Sequence, residues 1–137
     1  MNPAPSHAHL EYSILCDDVR LEAGNKLSLM GIFANIYFPS LPSNVLKFAL
    51  LNHWVGNGDH ITEIKIVSPD RSQIVASVPP SQFAISPGGF ADNVTIFTNV
   101  VFHQEGTHFI HVYLDQILVR EIFLHVTVIP PPSASVN

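Results

Sequence analysis

The chain has 137 residues, of which 47% are hydrophobic and only 12% charged, with six Lys and Arg against eleven Asp and Glu and a formal net charge of −5. That length fits one domain with a real core and is too short for two, and cations scattered singly leave no stripe for phosphates, which argues against a nucleic-acid partner. Charge is sparse against roughly 25% in an average soluble domain, so some faces are neither charged nor covered, which points to self-association or a protein partner.

The stretch MNPAPSHAHLEYS has neither a cationic start nor an apolar run. It predicts no secretory leader, no membrane attachment and a cytoplasmic location. Residues 1–9 and 130–137, rich in Pro, Ser and Ala, read as loose tails around a single domain at 10–129. Cys16, the one cysteine, has no internal disulfide partner and reads as a small buried apolar residue.

The first predicted element is a strand from Glu11 to Val19, with a turn through Ala23, Gly24, Asn25 and Lys26 and a return strand from Leu27 to Phe33. Gly24 and Asn25 supply positive φ at little cost. Gly31, inside a strand pattern, marks a bulge or a close backbone approach. Asp17 and Asp18 are adjacent in extended chain, so they face opposite sides and cannot act together as an acid–base pair.

Next, VLKFALLNHWVG fits a helix as well as a buried strand, and the bracketing Pro39, Pro42, Asn57 and Gly58 decide for a strand. HITEIKIV alternates through Ile64 and Ile66, turns at Pro69 to Ser72 and resumes at Ile74 to Val78 as a hairpin. VPPSQFAISPGGFADN, with Pro79, Pro80, Pro87, Gly88 and Gly89, is not expected to hold a regular ladder; it should cross between sheets or cover an edge. In ADNVTIFTNVVFH, Val94, Ile96, Thr98, Val100 and Phe102 fall on one side of a strand that is expected to be covered on both faces.

The last element is the clearest. EGTHFIHVYLDQILVREIFLHVTVIP reads as a hairpin whose core face is Ile110, Val112 and Leu114 on one strand and Ile122, Leu124, Val126 and Val128 on the other. Parity then demands an odd loop, Asp115 to Ile117, pairing Leu114 with Leu118 and Ile110 with Ile122. Its back face carries Phe109, His111, Tyr113, Phe123 and His125, the candidate interface, with His111 opposite Glu121 as a cross-strand ion pair when the ring is protonated. About eight strands with short turns predict an all-β fold, an antiparallel two-sheet β-sandwich of immunoglobulin-like character.

CDDVRLEAGNKLSLMGIFANIYFPSLP, together with GTHFIHVYLDQILVREIFLHV, resembles a family of small stand-alone bacterial proteins of unknown function. The similarity spans 11–127 and rests on Cys16, Asp17, Gly31 and Phe33 in the opening and Gly106 and Asp115 in the closing hairpin. The resemblance implies a sandwich fold and a bacterial cytosolic setting, and it brings no catalytic residues.

Eight histidines are a surplus, yet no pair shares a face at ligand spacing: His108 and His111 differ by an odd number, and His111 and His125 sit well apart. A calcium site from Asp59, Asp92 and the Asp17–Asp18 pair lacks the spacing of a binding loop. There is no nucleophile elbow and no phosphate-cradling glycine loop. The expectation is a non-enzymatic binding or assembly module without cofactors, acting through a sheet face on a second copy (a dimer) or another protein. Its rivals are a metal-binding sensor or metal-dependent enzyme using the histidines, and a structural component of a bacterial or phage particle.

Overall fold

The computed structural model describes residues 5–132, and among them every regular element is a strand. Seven strands run β1 (His7–Glu22), β2 (Lys26–Ile32), β3 (Asn35–Phe38), β4 (Ser43–Val67), β5 (Ile74–Phe102), β6 (Gly106–Leu114) and β7 (Ile117–Val128). Among the described residues no helix is long and apolar enough to cross a membrane. The tail expected at 1–9 lies outside the described residues for 1–4, while His7 to His9 already belong to β1; of the second tail, 133–137 lie outside.

β4 is the spine. β1 pairs with it between Ala49 and Asn57, β6 pairs with it from Thr62 to Val67, and β5 follows nearly its whole length. The hydrogen-bonded order is β2-β1-β4-β6-β7-β3, with β5 on β4. All ladders are antiparallel except β3–β7, which is parallel, so the sheet is mixed and the expectation of a purely antiparallel fold is corrected. Two residues explain this geometry. β2 and β3 lie at opposite ends of the path, yet only Phe33 and Ala34 separate them, and a two-residue link spans roughly 10 Å at most. The path therefore curls until its ends approach, without closing. Arg120 of β7 also donates to the Leu10 carbonyl of β1 at 2.8 Å.

One cluster fills the space inside, joining Leu10, Leu15, Phe48, Leu50 and Trp54 with Ile64, Ile66, Ile110, Val112, Leu124 and Val126. Seven strands replace the eight expected because the two segments before and after Gly56–Gly58 run on as one 25-residue strand. For the same reason β5 reaches 29 residues straight through the proline-rich stretch, which does hold a ladder: Ser81 to Ile85 pair with Thr62 to Gly58. The prolines are tolerated because they sit at interruptions, with Pro79 and Pro80 between the Val78 and Ser81 pairs and Pro87 between the Ile85 and Gly89 pairs. β5 is also an edge strand, where a missing N–H costs no ladder bond. Further on, Leu46 and Asn99 drop out of the ladder where Asn99 takes φ 53. Phe97, Val100 and Phe102 consequently face the core while Val94, Ile96 and Val101 are exposed, so this strand is not covered on both faces.

The last hairpin keeps one of its two expected pairs, Ile110 with Ile122, by a different route, while Leu118 pairs with Tyr113 instead of Leu114. Its loop has two residues, Asp115 and Gln116, both at positive φ (49° and 71°), and Leu114 faces Ile117, which corrects the odd loop. A bulge opposite Val112 and Tyr113 makes up the parity, and Ile110 still faces Ile122.

Candidate functional site

The five candidate residues share one outer face. Phe109 pairs with Phe123 and His111 with Glu121 across β6 and β7, and Tyr113 and His125 follow at two-residue spacing. β3 extends the face, because Asn35 lies beside His125 and Tyr37 beside Thr127. The Phe109 and Phe123 rings meet edge to face, centroids 5.7 Å apart, and Phe123 (54% exposed) and Tyr37 (59%) present open aromatic surface.

Arg71 completes the face from a distance. The β4–β5 turn is tied by Asp70, which accepts from the Ser68 and Ser72 hydroxyls at 2.6 and 2.7 Å. Those bonds, the Ser68 hydroxyl foremost, hold its carboxyl at about 2. With φ 61, Arg71 lays its guanidinium 3.8 Å from the Phe109 ring centre and grips both Glu121 oxygens at 2.8 and 3.2 Å. His111 meets the same carboxylate at 2.8 Å, so the predicted cross-strand contact forms, with Arg71 as an unforeseen third member. The Arg71 bonds first, and His111 second, bring the Glu121 carboxyl down to about 2. Its contribution to stability is thus present above the ordinary carboxylate range and is lost as pH falls through about 2. Arg71→Ala should return the Glu121 titration, followed by carboxyl NMR, towards 4.5; no movement would show that Arg71 is not what holds it. Lys65 caps the Tyr113 ring at 5.2 Å, and with Arg71 and His111 it lines a groove of about 300 Å³. Neither Lys65 nor Arg71 carried a sequence signal, because each acts across strands or fifty positions away.

A second polar cluster joins the β4 bend to the last turn. Buried His60 has Nδ1 at 2.8 Å from Asp115 and Nε2 at 2.8 Å from the Asn57 carbonyl. Both partners are acceptors, so the ring satisfies both only as an imidazolium. Burial opposes that charge, yet the Asp115 and Asn57 bonds outweigh it and raise the pKa. Beside it a cleft of about 590 Å³ is lined by Asp59, Gln82 and Phe83.

Chemistry at the opening stretch is disfavoured. Cys16 is inaccessible and burial pushes its thiol up. Asp18 binds Lys47 at 2.9 Å, whereas the Asp17 carboxylate lies over Gly31, whose φ is 65; the pair diverges and Gly31 is a close approach, as expected. Among the described residues, no three His, Cys, Asp or Glu side chains are grouped to hold a metal ion.

Comparison with curated proteins finds no match. Solved structures similar in fold include the Pseudomonas fluorescens alkylpurine DNA glycosylase AlkC bound to DNA containing an abasic site analog, at TM-score 0.58 and 9% identity, covering 89% of this chain and 31% of that one. Another is the Listeria innocua beta-glucosidase, in complex with isofagomine (TM-score 0.54, 9% identity) or glucose (0.53, 10%), covering 89% of this chain and 16% of that one. The chain thus spans less than a third of these larger proteins, and at such identity the likeness concerns the fold alone. A family model described as a family of unknown function (DUF6941) matches residues 11–127, from the first strand to the end of the last hairpin. By that match the chain belongs to DUF6941, a family of unknown function.

Proposed function

We propose that the protein is a non-enzymatic binding module that presents the outer face of β6, β7 and β3 to another protein. The reading rests on one observation: exposed Phe123 stands beside the ordered polar group of Arg71, Glu121 and His111, with Tyr37 exposed further along the same face. An aromatic anchor within a polar, pre-ordered rim is the anatomy of an interface hot spot. The same proposal takes the curled sheet as a two-layer, immunoglobulin-like sandwich bent at Gly56–Gly58, working in the bacterial cytoplasm, where the lone buried Cys16 needs no partner. Affinity capture from the native host tests it. Phe123→Glu and Tyr37→Glu should each lose the partners held by the wild type while keeping its circular dichroism. Unchanged capture by both variants sinks the proposal.

A further inference from the structure

β5 is the long free edge of the fold. Among the described residues it pairs with β4 alone, so the backbone groups along its other side meet no strand over its 29 residues. Such an edge is a template for strand addition, and proteins guard edges by keeping them short or by placing Lys, Pro or a bulge in them. β3 is guarded by having only four residues, and β2 by Lys26 and by Gly31 with φ 65. In β5 the first half is guarded by Pro79, Pro80, Pro87 and Gly88, and the far end by Asn99, where φ 53 interrupts the ladder.

Residues 90–98, between those guards, have none of their own. All nine pair in unbroken register with residues 47–55 of β4, and the run holds no Pro, Gly, Lys or Arg. Asp92 is the one charged residue in the whole of β5. Val94 (40% exposed) and Ile96 (42%) stand on the outer side, while buried Phe97 and half-buried Thr95 alternate with them on the core side. The middle of this edge is thus regular, β-branched and almost uncharged, with its hydrogen-bonding groups open.

We propose that residues 90–98 add, antiparallel, to the same segment of a second copy of the chain, about a two-fold axis through Thr95. The segment complements itself in that register. Val94 of each copy lies opposite Ile96 of the other as a β-branched pair, and Thr95 lies opposite Thr95. Asp92 lies opposite Thr98, a hydroxyl donor, so the segment's one charge never faces its like. The pairing closes after two chains and covers both unguarded segments at once. Pro87 and Gly88 at one end and the kink at Asn99 at the other limit its length, which holds the register. The proposal is separate from the β6–β7–β3 reading, since Phe123 lies in β7.

Sedimentation equilibrium over a range of concentrations tests it. Wild type and Phe123→Glu should both approach twice the chain mass and stop there. Val94→Lys with Ile96→Lys opposes like charges across the copies, and should raise the dimer dissociation constant by at least about tenfold, near 1.4 kcal/mol. Val94→Lys with Ile96→Glu alters the same two exposed positions but opposes unlike charges, and should restore the dimer. Both double variants should keep the wild-type circular dichroism. Amide exchange in the wild type should slow with rising concentration at alternate residues of 90–98. A wild type at single-chain mass throughout, which would leave the edge to a strand from another protein, overturns the proposal. So does growth beyond two chains, loss of the dimer in Phe123→Glu, or equal behaviour of the two double variants.

Discussion

Gly56→Ala should destabilise the protein by about 2–4 kcal/mol, combining backbone strain with overpacking. Gly56 has φ 142, a region L-residues rarely adopt, and an added Cβ would collide with the His7 carbonyl oxygen and press on the Ala8 Cα. These are backbone atoms held by the His7↔Asn57 and Ala8↔Gly56 pairs, so the start of β1 must move off the spine. Two controls separate the terms. Gly88 also has positive φ, at 71°, but a Cβ there meets nothing, so Gly88→Ala should cost only about 1 kcal/mol. At Gly31 the obstacle is the Asp17 side chain, so Asp17→Ala should recover part of the cost of Gly31→Ala but not the strain of φ 65. Urea unfolding gives the free energies, and amide exchange should show faster opening from His7 to Leu10 in Gly56→Ala. Equal costs at Gly56 and Gly88 would mean that the approach of β1 to the bend is not rigid.

Stability should peak near neutral pH because two buried histidines pull in opposite directions. His60 has a raised pKa, so its contribution is fully present below the ordinary value of about 6.5 and is lost as pH rises through the folded value. His108 is the reverse case: burial lowers its pKa, with only the Gly106 carbonyl at 3.2 Å working against it, and its ring stands edge-on to Phe102 at 5.1 Å. The folded protein resists charging His108, so stability falls as pH drops below about 6.5. His60→Gln should flatten the alkaline side of a thermal-melting profile and cost about 1–3 kcal/mol at pH 6, since Asp115 and the Asn57 carbonyl lose a charged donor. His108→Phe should flatten the acid side. A slope above neutral that survives His60→Gln would assign it to another group, and carboxyl titration of Asp115, which His60 holds low, would show directly whether the pair had formed.

Much of the site was legible because extended chain has a strict period of two. Alternation alone placed Phe109, His111, Tyr113, Phe123 and His125 on one face, paired Ile110 with Ile122 and set Asp17 against Asp18. What failed, failed at irregular residues. Nothing in DQ announces a two-residue turn with a bulge following it at Val119, and nothing in VPPSQFAISPGGF says that its prolines fall at gaps in a ladder.

By itself the sequence determined the strand character of the chain, the faces of its clearest hairpin and its membership of a family, because each depends on local pattern. Only the tertiary structure decided that β3 runs parallel to β7, that Arg71 reaches Glu121 across fifty positions, and that Leu27 and Leu29 of β2 come to lie beside Ile14, Leu51 and Phe90. The reason is physical: alternation fixes which way a side chain points relative to its own strand, while neighbours are fixed by how the path of strands curls. That curl is set by a two-residue link and a glycine bend whose consequences are long-range.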